Sequence, residues 1–186
     1  RTSGRGRGQG YTIEVFEGRS VSIRNQSSMG KARTPIGNFM MMARLREIYD
    51  SQIPNFGISG LKKILYDRGC TSLIVHEDDN VIGGLTYRPI RDNTSVEICL
   101  CAIREDRQRE GHASQLMKAL KDDIHIRFPG SIRFIVSSAD VGAVAWFEKM
   151  GFERAAEDVM AEWNGHIEEI KNGIFVVKKI SNDAHT

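Results

Sequence analysis

The sequence has few of the features that mark a membrane protein or a disulfide-linked protein. No stretch approaches the roughly 18 consecutive apolar residues of a membrane span. There are three cysteines, and Cys99 and Cys101 stand two apart in a predicted strand, where we expect their side chains to point the same way and to bridge poorly. Because no Cys/His spacing resembles a zinc site, we interpret Cys70, Cys99 and Cys101 as small buried residues in a reducing compartment.

Neither positive nor negative charge is in clear excess. The formal net charge of +2 is close to neutral, so it argues neither for nor against binding to nucleic acid. Any electrostatic preference for a partner must be local. The content of 40% apolar and 27% charged residues is typical of a soluble globular protein, and 186 residues suffice for one sizeable core. With no internal repeat, we predict one domain over 11–180, between a disordered Gly/Arg-rich tail over 1–10 and a short tail over 181–186.

The first half of the chain predicts an antiparallel meander interrupted by helices. Thr34 and Pro35 predict the start of a helix, because Thr is a favoured N-cap residue and Pro is well tolerated at the first helical position. Ser59 is predicted to cap a short helix over 60–66, and Gly83-Gly84 predicts a bulge or a close backbone approach. The predicted strands are 11–16, 20–23, 71–76 and 81–88, and the inner face of the first helix is predicted to carry Met41, Leu45, Ile48 and Tyr49.

The second half predicts alternating strands and helices. A central strand begins near residue 94, and an amphipathic helix runs from 113 to 127. A strand over 132–137 follows, then a helix over 141–150 closed by Gly151 at the C′ position, and a final strand over 173–179. Hairpins followed by a βαβα order predict a mixed α/β sheet with helices on both faces.

The segment 95–117 contains the residues that point to chemistry. Its apolar strand contains one carboxylate, Glu97, and a Gly-bearing turn leads from the strand into a helix, whose N-terminus attracts anions. Arg107 and Arg109 favour a phosphate site there and Glu110 opposes one. A plain strand-to-helix turn would have the same pattern, and neither the dinucleotide fingerprint nor a P-loop is present.

Glu97 allows two interpretations. A charge in a buried strand is costly unless it is paired or functional, and burial is expected to raise its pKa toward neutrality, where a general base works best. The alternative is a glutamate tied to an internal Arg or Lys. Cys101 could be read as a nucleophile that forms a covalent intermediate, but no paired His is evident, so a small packed residue is the better interpretation.

Gln108, Gly111 and Ala113 match the Q/R-x-x-G-x-G/A signature that the Gcn-related N-acetyltransferases (GNAT) use to hold the acetyl-CoA pyrophosphate. The segments 81–89, 97–103, 116–121, 139–140, 145–152 and 163–167 are similar to the general-control-nonderepressible histone acetyltransferases of that superfamily. The resemblance covers roughly residues 13 to 178, in order and with few gaps. It implies the GNAT fold.

The resemblance also implies a site. Glu97 aligns with the family's catalytic glutamate, which serves direct acetyl transfer from acetyl-CoA to a lysine amine in a ternary complex without a metal. Backbone groups of Cys101, Ala102 and Ile103 would meet the pantetheine arm and the thioester carbonyl. The N–H groups that would bind the pyrophosphate belong to Gln108, Arg109, Glu110, Gly111, His112, Ala113 and Ser114.

The expected partners are a lysine-bearing histone tail and the subunits of a chromatin complex in the nucleus, without direct nucleic-acid or membrane contact. Three departures from the family pattern stand out: Ser138 and Gly142 replace two tyrosines, Glu110 replaces a basic residue, and Glu168-Glu169 replace Lys-Asp.

Three hypotheses follow: a histone lysine acetyltransferase, a GNAT enzyme for another protein or a small amine, and a catalytically weak acetyl-CoA-binding subunit of a chromatin complex.

Overall fold

The computed structural model describes residues 11–17, 20–21, 34–156, 161, 163, 165–167 and 173–180. The predicted tails over 1–10 and 181–186 lie outside these residues, as do the end of the predicted strand 20–23 and Glu168-Glu169. The partition into one domain and two tails therefore stays a prediction.

The described strands form one mixed sheet in the order β2-β1-β3-β4-β5-β6-β8-β7. All neighbours are antiparallel except β5 and β6, which are parallel because α3 connects them. The predicted mixed α/β class, a meander followed by a βαβα order, is confirmed. The strands are β1 (Thr12–Glu17), β2 (Ser20–Val21), β3 (Thr71–Glu77), β4 (Asn80–Ile90), β5 (Ser95–Ile103), β6 (Phe134–Ala139), β7 (Glu153–Arg154) and β8 (Ile174–Lys179).

Helices cover both faces of the sheet. Leu73 and Val75 pack in one hydrophobic cluster with α3 and α4, whereas Ile74 between them packs in a second cluster with α1 and α2. This alternation follows from the two-residue period of a strand, and it confirms the predicted placement of helices. The helices are α1 (Pro35–Gln52), α2 (Ile58–Leu65), α3 (His112–Arg127) and α4 (Val141–Lys149), with 3-10 turns at Pro54–Phe56 and Glu105–Arg107.

Local signals placed most helix ends correctly. Thr34 caps α1 by accepting a hydrogen bond from the Gly37 N–H at 3.2 Å, and the predicted inner face of α1 is buried. Gly151, at φ 80°, follows the last residues of α4 as predicted. The prediction for Ser59 was wrong: α2 begins at Ile58, directly after Gly57 at φ 77°, so Ser59 lies inside the first turn.

A bulge in β5 changes the directions of its cysteines. Thr86 pairs with Leu100 and Tyr87 pairs with Ile98, which leaves Cys99 as the extra residue. Cys99 therefore packs in the cluster with α1 and α2, whereas Cys101 packs against the cluster with α3 and α4. The expectation that their side chains point the same way was wrong for this reason. All three cysteines are free thiols.

Two features shape the space beside β5. Gly83 lies so close to this strand that an added Cβ would stand 2.4 Å from the Ala102 carbonyl oxygen, which confirms the predicted close approach. On its other side, β5 pairs with β6 only as far as Glu97 opposite Val136. Beyond this point, which we call the vertex, the two strands separate and leave an open wedge between them.

Candidate active site

The wedge between β5 and β6 opens into a cleft of about 810 Å³. One wall is β5 from Ile98 onward with the turn into α3. The other is the end of β6 and α4, and residues 52–55 after α1 close one side. Of the ten predicted cofactor residues, all but Glu110 line the cleft: Cys101, Ala102, Ile103, Gln108, Arg109, Gly111, His112, Ala113 and Ser114.

The turn before α3 has the geometry of an anion site. Gly111 is the N-cap residue at φ 88°, and Arg109 before it has φ 67°. No side chain caps this helix, and the first N–H bonded back to the N-cap is that of Gln115, which donates to the Gly111 carbonyl at 3.1 Å. The N–H groups of residues 112–114 thus begin a helix that faces the cleft, at the positive end of its dipole.

A group of titratable side chains holds this turn; we call Glu77, Arg107, Glu110 and His112 the turn cluster, of which Arg107 and His112 also line the cleft. Arg107 donates to both carboxylate oxygens of Glu77 at 2.8 and 3.1 Å and to Glu110 at 2.9 Å. These bonds raise the pKa of Arg107 and lower the pKa values of Glu77 and Glu110. Arg107 was expected to reach phosphate, but its guanidinium is engaged here.

Glu110 also differs from its expected effect. Its carboxylate bonds Arg107 and lies 3.1 Å from His112 Nε2, so two partners on the protein offset the charge that would oppose an anion. His112 is buried, with Tyr11 edge-on to its ring, and its Nδ1 has no partner among the described residues. Glu110 is therefore a brace of the turn and not part of the cleft wall.

Gln108 ties the turn to two other elements. Its Nε2 donates to the Ile103 carbonyl at 3.1 Å and to Gln52 Oε1 at 3.0 Å. The side chain thereby ties the end of β5 to the end of α1. The Gln108 N–H, which was predicted to bind the pyrophosphate, instead donates to the Glu105 carbonyl at 3.3 Å.

Glu97 lies at the vertex, where the cleft begins. The residue has no solvent exposure, and Arg88 Nε donates to its Oε2 at 2.7 Å. Arg88 Nη2 also donates to the His166 carbonyl at 3.3 Å. The interpretation of Glu97 as a glutamate tied to an internal arginine is thus correct as geometry. Glu97 itself does not line the cleft, which begins at its neighbour Ile98.

Arg88 was missed in the sequence, although a signal existed. It stands directly opposite Glu97 in the β4–β5 ladder, and opposite charges at such positions pair across a sheet.

Cys101 lines the cleft as a neutral thiol. Burial raises its pKa to about 12, so it would not provide a thiolate at neutral pH. This supports its interpretation as a packed residue. Because β6 has separated from β5 here, the backbone groups of residues 101–103 on that edge face the cleft instead of a neighbouring strand.

The opposite wall is lined by small residues at the two positions where the family has tyrosines. Ser138 is buried at the end of β6, and a Cβ added to Gly142 would meet only Asp140 Oδ1, at 3.6 Å. Asp140 caps α4 by accepting from the Gly142 N–H at 3.0 Å, and Asn55 donates to its other oxygen at 3.3 Å. Trp146, one turn further along α4, also lines the cleft and was not predicted.

Over the described ranges, no group of three or more His, Cys, Asp or Glu side chains is arranged to hold a metal ion. The helices in that part of the chain are all too short or too polar to cross a membrane.

Comparison with known proteins gives a family and a fold. Residues 50–168 match the model of the acetyltransferase (GNAT) domain. The histone acetyltransferase GCN5 of Debaryomyces hansenii is 30% identical over 137 residues, which are 73% of this chain and 30% of that protein. The same enzyme of Oryza sativa is 31% identical over 143 residues, 77% of this chain and 28% of that protein. The chain thus spans less than a third of these curated relatives.

Solved structures agree on the fold. The crystal structure of Tetrahymena GCN5 matches with a TM-score of 0.69 at 24% identity, over 79% of this chain and 91% of that one. The Tetrahymena GCN5 catalytic domain in complex with coenzyme A matches with a TM-score of 0.66 at 21% identity, over 94% and 95% of the two chains. With the domain model matching well over half of its residues, the chain belongs to the GNAT acetyltransferase family.

Proposed function

We propose that this chain is the catalytic domain of a lysine acetyltransferase that acts on histone tails. One observation carries the proposal: the buried carboxylate of Glu97 sits at the vertex, and the cleft starts at the next residue. An incoming amine would have to lose its proton at the closed end of the cofactor cleft, and Glu97 is the base beside that end.

The cleft fits acetyl-CoA in size and chemistry. Its volume of about 810 Å³ is in the range of small-molecule sites. The N–H groups of residues 109–114 would hold the pyrophosphate at the N-terminus of α3, and the free edge of β5 at residues 101–103 would bond the pantetheine amides. The cosubstrate supplies an acetyl group activated as a thioester.

Glu97 would act as the general base. A lysine ammonium must lose a proton before its nitrogen can attack the thioester carbonyl, and a carboxylate at the vertex can take that proton. A positioned general base contributes about 10²- to 10⁴-fold to a rate. In a direct transfer the lysine nitrogen would form the new amide bond while the thioester bond breaks, and coenzyme A would leave as its thiol.

The histone substrate is proposed from the named function of the curated relatives, which are histone acetyltransferases. Residence in the nucleus and association with chromatin-complex subunits follow from the same likeness and are part of the proposal.

A catalytically weak acetyl-CoA-binding subunit is the second candidate. Ser138 and Gly142 favour it, because they leave the α4 wall without the side chains that family members place there.

The deciding experiment measures labelled acetyl transfer to core histones and to polyamines by wild type, Glu97→Gln and the exposed control Glu153→Gln. Calorimetric titration with acetyl-CoA accompanies each assay. We expect wild type and Glu153→Gln to acetylate histones and Glu97→Gln to bind acetyl-CoA but transfer little. Binding without transfer by wild type would support the second candidate, and transfer to polyamines alone would replace the histone by a small amine.

A further inference from the structure

We infer that Arg88 is a positioning residue for acyl transfer, which fixes the orientation of the Glu97 carboxylate and holds it ionised so that it can accept a proton. The inference rests on the proposed role of Glu97. It assigns to Arg88 a function that acts through Glu97 and not through contact with substrate.

The geometry restricts both partners. Arg88 and Glu97 are opposite each other in the β4–β5 ladder, so their backbones are held by the sheet. The guanidinium is anchored at two points, by Nε–H to Glu97 Oε2 at 2.7 Å and by Nη2–H to the His166 carbonyl at 3.3 Å. A planar guanidinium anchored twice fixes the direction from which it approaches the carboxylate.

Burial gives this contact its consequence. Glu97 has no exposure, and a carboxylate buried without a partner can keep its proton up to about pH 8–9. A carboxylic acid in that state has no capacity to accept a further proton. An adjacent guanidinium, which stays charged throughout the accessible pH range, opposes this by favouring the ionised form.

Two thiols lie beside the pair among the described residues, and neither carries a positive charge. Cys99 lies next to both partners, and the Cys70 hydrogen bond and burial raise its pKa, which keeps it a neutral thiol. Cys70 is a buried thiol as well. Burial lowers the pKa of the Arg88 guanidinium, but the contacts with Glu97, together with those to Cys99 and Cys70, raise it overall, so Arg88 stays charged.

The test is the pH dependence of kcat for acetyl transfer in wild type, Arg88→Gln and Arg88→Lys. For Arg88→Gln we expect the acid limb to move to higher pH by about 1 unit or more, the effect of removing an opposite charge within about 4–6 Å. Arg88→Lys keeps the charge but not the two-point anchor. The acid limb of its pH profile should therefore stay in place while its maximal kcat falls.

Two results would overturn the inference. One is an acid limb that stays where it is in Arg88→Gln, with kcat reduced equally in both variants, since a purely structural pair would behave in this way. The other is full turnover by both variants from pH 6 to pH 9. If Arg88→Gln does not fold, Arg88→Lys decides alone, because wild-type kcat in that variant contradicts the orienting role.

A second measurement separates this inference from the proposed function. In protein carrying ¹³C-labelled glutamate, the Glu97 signal is identified by its loss in Glu97→Gln, and its titration midpoint is compared between wild type and Arg88→Lys or Arg88→Gln without any substrate. A midpoint that rises in Arg88→Gln upholds the charge effect even if wild type transfers no acetyl group. An unchanged midpoint contradicts it even if transfer is robust.

Discussion

The protein uses a glutamate–arginine contact at each end of its cleft, and the two differ in exposure. At the vertex, Glu97 has no solvent contact and pairs with Arg88. In the turn cluster, Arg107 serves two carboxylates, and the Glu110 side chain is 46% exposed. By our inference the pair keeps a buried carboxylate ionised at the vertex, whereas in the turn cluster it fixes the geometry of the turn.

The difference follows from the dielectric environment of each pair. Water screens the half-exposed carboxylate of Glu110, so the bond between Glu110 and Arg107 contributes mainly by fixing the geometry of the turn. A buried charge is not screened, so its partner decides whether it stays ionised at all. The vertex is thus suited to proton transfer and the turn to holding an anion.

Removal of one carboxylate from each region should affect turnover very differently. We expect Glu97→Gln to lower kcat by about 10²- to 10⁴-fold, because the amide cannot accept a proton. Glu110→Gln should leave kcat nearly unchanged and alter only the KM for acetyl-CoA, since Glu110 lies outside the cleft wall. Steady-state kinetics on a histone tail peptide measures both, and equal losses of kcat would remove the distinction between the two regions.

We expect a substitution at the vertex to lower the free energy of unfolding more than a substitution in the turn cluster does. Arg88→Gln leaves a buried carboxylate without its cation and should lower the free energy of unfolding by about 3 kcal/mol, at the low end for a broken buried pair because Arg88 keeps some solvent contact. Glu110→Gln should cost much less, because exposed pairs contribute little to stability. Urea unfolding with unchanged m-values tests this. Similar losses would mean that burial does not determine the strength of these pairs.

The sequence predicted the framework well because its signals are local. Thr34 with Pro35 begins a helix and Gly151 ends one, and each needs only its own neighbours to act. Of the seven residues that the loop signature singled out, all but Glu110 line the cleft, and their role in binding the cofactor stays a prediction.

What the sequence could not supply depends on register and on contacts across the fold. The bulge at Cys99 is invisible in a strand buried on both faces, because no polar alternation reveals the extra residue. Glu77 meets Arg107 from 30 positions away, so no spacing rule indicates that Arg107 is occupied. Arg88 opposite Glu97 could have been found only by counting through the turn that joins β4 to β5.

A comparison of two glycine substitutions tests whether the turn before α3 is an anion site. Gly111 at φ 88° and Gly130 at φ 71° both leave open space for a Cβ, so alanine at either position is strained by the backbone alone. Each substitution should cost about 1–2 kcal/mol of stability. Only Gly111→Ala should also raise the Kd for coenzyme A, because only Gly111 aligns the N–H groups at the cleft.

Calorimetric titration of both glycine variants with coenzyme A gives the answer. Equal weakening by Gly130→Ala would show that the loss arises from general destabilisation.

Acid should weaken the turn cluster through its carboxylates. The pKa values of Glu77 and Glu110 are lowered in the folded protein, first of all by hydrogen bonds from Arg107. A lowered pKa means that the folded state binds fewer protons than the unfolded chain, so the contribution is complete above the ordinary glutamate value of about 4.3 and is lost as pH falls through the folded value. The stability difference between wild type and Glu77→Gln should therefore be constant from pH 7 to about pH 5 and shrink below that.

Glu153→Gln is the control, because Glu153 is exposed on β7, and it should differ little from wild type throughout. A difference for Glu77→Gln that persists unchanged to pH 3 would mean that Arg107 holds this side chain by packing and not by its charge.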